Sequence, residues 1–391
     1  MSQLLNERWS ETKEALLEGL QGNRRASMNV CLENTRRHLA ESATAGATSA
    51  GNVATLNRVI LPVIRRVMPT VIANEIIGVQ PMTGPVGQIH TLRVRYADSG
   101  DNVTAGEEAL SPFKIAAAYS GNNADATPKA NSTSALEGTP GKRMSIQILK
   151  SPVEAKSRKL SARWTFEAAQ DAQAQQGIDI EAEIMAALAQ EITAEIDQEI
   201  LASLRALASV EETYDQSLVS GTATFVGDEH AALAIQINRV ANLIAQRTRR
   251  GAGNWAVVSN QALTILQSAT TSAFARTTEG TFEAPTNTKF VGTLNGAMRV
   301  YVDAYRPDDD DQNQVLIGYK GSSEADAAAF YCPYIPLMSS GVVLDPTTFE
   351  PVVGFLTRYG YVELTNTASS LGNAADYLGK VAITSANVSF K

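Results

Sequence analysis

The sequence predicts an α+β fold, and two features carry that expectation. The first is a helix of unusual length: after Gly177, apolar residues recur every four positions at Ile180, Ile184, Leu188, Ile192, Ile196, Ile200 and Leu204, with acids and glutamines between them. The second is the alternation of helix-rich and strand-rich stretches along the rest of the 391 residues. At roughly 100° per residue, each four-residue step advances the apolar stripe by about 40°, so different neighbours must cover different turns. A segment of about 30 residues is also some 45 Å long, which exceeds the core of a compact domain. The helix reads as a spine across a flat, extended subunit finished by neighbouring copies, or, more plainly, as one long helix in an ordinary α+β enzyme.

From the N-terminus, Leu4, Leu5, Trp9, Leu16, Leu17 and Leu20 fall at helical spacing and predict an amphipathic helix. Arg24, Arg25, Arg36 and Arg37 make a basic stretch, and Ser42 to Gly51 has the composition of a flexible linker, which sets a boundary. From Val53, the residues Leu56, Val59, Ile60, Val63, Ile64 and Val67 form a helical face opposite Arg58, Arg65 and Arg66, with Pro62 expected to kink or divide it. Pro81, Gly84, Pro85 and Gly87 predict turns, and Ile89, Leu92, Val94 and Tyr96 open a strand. Residues 97 to 141 are rich in small and polar types and are expected to make no core of their own. Between strand-like flanks, the second running from Met144 to Leu149, they fit a long excursion lying on a neighbour or a disordered surface loop.

A charged lead-in from Val153 to Leu160 precedes the spine. Glu154, Lys156, Arg158 and Lys159, followed by Arg163, read either as a solvated strand and helix start or as intersubunit ion pairs, where charge sets register more than affinity. Past the spine, Leu233, Ile237, Val240 and Ile244 predict a helix near Ala231 to Thr248, closed by Gly251 as a C-cap. Trp255 to Val258 is strand-like, then comes another helix. A hairpin follows in which Val300 and Val302 alternate around Tyr301, with Val315, Ile317 and Tyr319 as the returning strand.

The residues offer little for catalysis. His38, His90 and His230 are scattered, and no metal-ligand spacing joins them to Cys31 or Cys332, whose wide separation also argues against a disulfide framework. Gly251-Ala252-Gly253 lacks the third glycine of a dinucleotide fingerprint. Asp308 to Asp311 fits a solvated loop or a weak calcium site. There is no Gly-x-Ser-x-Gly, so no enzyme and no cofactor are expected; a carboxylate-only site among the 41 acids is the residual enzyme reading. Met1 to Glu11 carries charge early, against a secretory signal, and no run of about 18 apolar residues suits a membrane span. A net charge of -8 with 19% charged and 44% hydrophobic residues predicts a globular chain without the basic footprint of a tight DNA binder. If it encloses DNA, it does so as a wall.

Five segments carry a resemblance: NVATLNRVILPVIRRVMPTVIANEIIGVQPMTGPVGQIHTLRVRY (52 to 96), VEAKSRKLSARWTFEAAQDAQAQQGIDIEAEI (153 to 184), FVGTLNGAMRVYVDAYRPD (290 to 308), IGYKGSSEADAAAFYCPYIPL (317 to 337) and FEPVVGFLTRYG (349 to 360). In this order they resemble the major capsid proteins of tailed bacteriophages, nearest the T-even group. The resemblance implies the Hong Kong 97-type capsid fold. Its parts would be an N-terminal segment (1–51), the N-arm and start of a peripheral domain (52–96), an extended β-hairpin loop (97–149), the peripheral domain with the spine helix (150–215), an axial domain (216–330) and a return to the peripheral domain (331–391). T-even proteins carry an extra folded insertion in the extended loop, which the excursion here is too short and polar to hold.

The resemblance further implies a virion protein, assembled in the host cytoplasm, that self-associates mostly into hexamers around double-stranded DNA without reading its sequence. Its implied partners are a scaffold, a prohead protease, a portal, and vertex or decoration proteins. A pentameric vertex paralogue and an encapsulin-like cargo shell are the alternatives. The protease of the T-even type favours Leu or Ile two residues before the Glu it cuts after, which points to Leu16-Leu17-Glu18 and Leu39-Ala40-Glu41. Glu41 is preferred because it adjoins the small-residue linker, leaving Ser42 as the new N-terminus, with an uncut arm as the alternative.

Overall fold

The computed structural model describes residues 20–44, 71–100, 140–176, 179–215, 226–248, 250–269, 288–303, 313–324, 326–348, 350–365 and 373–384, with shorter pieces between 9 and 18 and between 103 and 138, and residues 274–276. The kinked helix expected from Val53, the tip Asp308 to Asp311, and Leu4 and Leu5 lie outside them.

Helix α1 spans Gly22–Thr44, and ahead of it Leu16 and Leu17 bury themselves in the main core with Trp9 and Leu20 packed alongside. The apolar positions expected of the first segment therefore face inward where described. Ser42 to Thr44, expected to open the linker, continue the helix instead. After one helical turn at Ala73–Ile76 and the two-residue β1 (Gly78–Val79) come β2 (Val86–Tyr96) and β3 (Met144–Glu154), which pair antiparallel over all eleven residues, Val86 opposite Glu154 and Tyr96 opposite Met144. The hairpin begins well before residue 97. The excursion at its far end, expected to lack a core, has a small one: Tyr96, Val103, Ala109 and Tyr119 are buried together, the two tyrosine rings 4.5 Å apart. Four residues suffice because each tyrosine buries a large ring and Tyr119 also donates its hydroxyl to the Arg143 carbonyl at 2.6 Å.

Next come β4 (Lys156–Arg163), α2 (Phe166–Gln176) and the spine, α3 (Ile180–Leu207). The spine starts where Asp179 accepts the Glu181 N–H at 3.1 Å, with Glu181 and Glu183 against the positive end of the helix dipole. Of the seven periodic positions, Leu188, Ile192, Ile196, Ile200 and Leu204 are buried, whereas Ile180 and Ile184 are half-buried. The chain continues through β5 (Val210–Asp215), α4 (Val226–Thr248), β6 (Trp255–Val258), α5 (Asn260–Ser268), β7 (Phe274–Arg276), β8 (Thr288–Leu294), β9 (Met298–Asp303), β10 (Gln314–Gly318), β11 (Ala329–Leu344), β12 (Pro351–Glu363) and β13 (Leu378–Thr384).

Two sheets organise these strands: a four-stranded one ordered β1-β11-β12-β4 and a seven-stranded one ordered β5-β13-β10-β6-β9-β8-β7. The fold is α+β, with both sheets mixed in direction. Trp255 and Val257 of β6 enter the core shared with α1, α3 and the four-stranded sheet, while Ala256 and Val258 enter a second core beneath α4 and α5. A sheet covered on both faces needs apolar residues at every position, which is why β6 reads as an unbroken apolar run.

The same burial corrects the expected hairpin. Val300, Tyr301 and Val302 are all buried, and β9 pairs with β8 through a tight three-residue connection, Asn295 to Ala297, in which Asn295 and Gly296 take positive φ. β10 lies on the far side of β6, between it and β13. Gly251 does not take the left-handed conformation of a helix C-cap. Its role is close approach, since a Cβ there would stand 2.6 Å from the Tyr319 ring.

Candidate assembly surfaces

The β2–β3 hairpin has a rigid base and an open face. At the base, Met82, Val153, Ala155, Phe330 and Cys332 form a separate buried cluster. A Cβ on Gly360 of β12 would stand 2.4 Å from Val153, so glycine there lets β3 lie against the sheet. The Met82 N–H bonds Pro333 O at 3.0 Å and the Ala155 N–H bonds Pro85 O at 2.9 Å. Further out, Met144, Ile146 and Ile148 share one face by period two and are 51%, 70% and 59% exposed. Three large apolar side chains in a row leave an open apolar face on a two-stranded ribbon, a structure that is marginal without something packed on it.

The charged lead-in does not form one patch. Along β4, Arg158, Leu160 and Ala162 face inward while Lys159, Ser161 and Arg163 face out. Arg158, expected to pair across subunits, is drawn inward: it bonds Glu195 of the spine at 2.7 Å, Glu199 one turn later, and the Tyr359 hydroxyl of β12 at 2.6 Å, and Tyr359 in turn donates to Glu199. Burial opposes the Glu199 carboxylate, but Arg158 and Tyr359 outweigh it and hold its pKa below the ordinary value. The physical reason is strand parity, which turns residue 158 toward the spine. Arg163 lies 3.7 Å from Glu350, and Glu154, Lys156 and Lys159 are exposed.

The Leu39-Ala40-Glu41-Ser42 stretch lies in the helical backbone of α1. Glu41, preferred for adjoining a flexible linker, therefore has the bond after it inside a helix, which a protease must unwind. His90 is exposed, and buried His230 places Nδ1 2.6 Å from the Ser268 hydroxyl; the His38 side chain lies outside the described residues. No group of three or more His, Cys, Asp or Glu suited to a metal occurs among the described residues. Burial pushes the thiols of Cys31 and Cys332 up to about 12, which suits inert core residues.

Sequence reasoning missed a buried carboxylate pair beneath the spine. Asp197 accepts the Ile72 N–H at 2.9 Å, and burial, with the charge of Asp303, pushes its pKa up to about 8. Asp303, wholly buried at the end of β9, accepts from Gln198 and Arg205, each at 2.7 Å. The signal was present: Asp197 lies four residues from Thr193 and from Leu201, on the flank of the apolar stripe. Asn34, buried on α1, was missed as well.

A family model described as major capsid protein Gp23 matches residues 53–383. The major capsid protein of Vibrio phage KVP40 is 29% identical, over 90% of this chain and 85% of that protein. That of Enterobacteria phage T4 is 31% identical, over 82% of this chain and 77% of that protein. Among solved structures, a chain of Microbacterium phage Oxtober96 aligns with a TM-score of 0.45 at 12% identity, over 80% of this chain and 90% of that one.

Proposed function

The chain belongs to the Gp23 major capsid protein family, which builds phage capsids and is not enzymatic, and on that premise we propose that it assembles as hexameric rings tiling a closed shell around double-stranded DNA. The observation that carries the finer reading is the hairpin, fixed at its base and apolar along Met144, Ile146 and Ile148. Such a face, laid on a different patch of the next copy, makes a head-to-tail contact that closes a ring when the rotation fits. In this reading the spine and the four-stranded sheet form the peripheral domain and the seven-stranded sheet forms the axial one, so that β5 and β13, expected in the peripheral domain, join the axial one instead. Glu154, Lys156 and Lys159, exposed beside the hairpin base, orient neighbours through charge. The net charge of -8 suits a wall that lets packed DNA slide.

Assembly in the host cytoplasm with a scaffold, a prohead protease, a portal, and vertex or decoration proteins belongs to the same reading, as does a cut after Glu41. Purified chain at micromolar concentration is expected to form six-fold rings or shells by negative-stain electron microscopy. Monomers alone would refute self-assembly, and five-fold rings would identify a vertex protein. The cut is read separately, by the intact mass of subunits from mature particles: a new N-terminus at Ser42 supports it, and a chain starting at Met1 or Ser2 refutes it.

A further inference from the structure

Helix α1 does more than cover the core. Met28, Cys31 and Leu32 are almost wholly buried in it, beside β11. One turn on, Asn34 is 5% exposed, and its Nδ2 donates to two carbonyls in different elements: Met82 O at 2.7 Å, on the segment entering β2, and Tyr334 O at 3.1 Å, within β11. Met82 belongs to the cluster that secures Val153 of β3. The helix is itself held near its start and at its middle. Arg24 pairs with Glu75, which also accepts from Arg299 at 2.9 Å. Glu33 is bonded by Lys13 at 2.8 Å and by the Trp9 indole at 3.3 Å.

We propose that α1 is an intramolecular strap: through Asn34 it ties the base of the β2–β3 hairpin to β11, so the hairpin is fixed while the helix is seated and swings when it is not. The argument is one of satisfied polar groups. With the Asn34 amide withdrawn, the buried Met82 carbonyl and the half-buried Tyr334 carbonyl lose a donor, and the first lies on the segment that aims the hairpin. Unseating α1 also removes Met28, Cys31 and Leu32 from the core beside β11. The proposal rests on the reading of the hairpin as an assembly element, and it describes the uncut chain, since a cut after Glu41 would sever the segment that carries Asn34 from the body.

Hydrogen exchange on the full chain tests it. In Asn34→Ala, amides at Met82, Ala155 and the base of β2 and β3 are expected to exchange about tenfold faster, while β6 and β10 keep wild-type rates. Wild-type rates throughout, in a variant that melts normally, would overturn the strap. Should that variant fail to fold, wild-type protein in low denaturant decides. Amides of α1 and of the hairpin base should open together with one denaturant dependence, and an α1 that opens while the base stays protected would overturn the proposal. Exchange reads motion inside a subunit and microscopy reads ring formation, so either result can fail without the other.

Discussion

Asp197 shows what a single residue in the wrong solvent does. Its ordinary pKa of 3.8 rises to about 8, chiefly because burial penalises the charge. Because the folded value lies above the unfolded one, the associated stability is fully present below about pH 4 and is lost as pH rises toward 8. At about 1.4 kcal/mol per pH unit, the loss between pH 6 and 8 is about 2–3 kcal/mol. Asn at this position keeps an acceptor for the Ile72 N–H without the titration. Thermal melts should therefore show Asp197→Asn losing less stability than wild type over that range, and parallel curves for the two proteins would remove Asp197 as the cause.

Among the elements, the spine divides energetically along its length. Ile192 is buried in its middle, whereas Ile180 stands half-buried in the first turn. A carboxylate forced into the core without a partner costs several kcal/mol, a large part of the 5–15 kcal/mol that holds a typical domain. Ile192→Asp is expected to abolish soluble folded protein, and Ile180→Asp to leave a folded subunit. Circular dichroism and melting of the two variants check this, and a well-folded Ile192→Asp would show that the middle of the spine is not in the core. Arg158 adds a second tie between elements, joining β4, the spine and β12 through Glu195, Glu199 and Tyr359.

For the whole molecule, the division that matters is between the body and the end of the hairpin. Among the described residues, the main core and the core beneath α4 and α5 take none from 97 to 141, and the cluster of Tyr96, Val103, Ala109 and Tyr119 stands apart from both. Deleting Asn102 to Ala135 should leave a subunit that melts cooperatively yet fails to form stable shells. Calorimetry and electron microscopy on the same preparation separate the two outcomes, and a lost melting transition would place the excursion in the core of the fold.

Beside the family, which came from the resemblance of five segments, the sequence by itself determined the spine, the strand Trp255 to Val258, and the helix on Leu233, Ile237, Val240 and Ile244. Each follows from the spacing or order of residues near one another in the chain, and such spacing is a local property. Only the tertiary structure decided that β9 pairs with β8 and not β10, that Arg158 turns to its own spine, that the helix of Gly22–Thr44 runs past Ser42, and that Asn34 reaches both Met82 and Tyr334. The physical reason is that closing a longer loop costs little more than closing a shorter one, so proximity along the chain does not select a strand's partner. Selection falls to packing between distant residues, as where Gly360 admits Val153 and Gly251 admits Tyr319, and no window of sequence holds both members of such a pair.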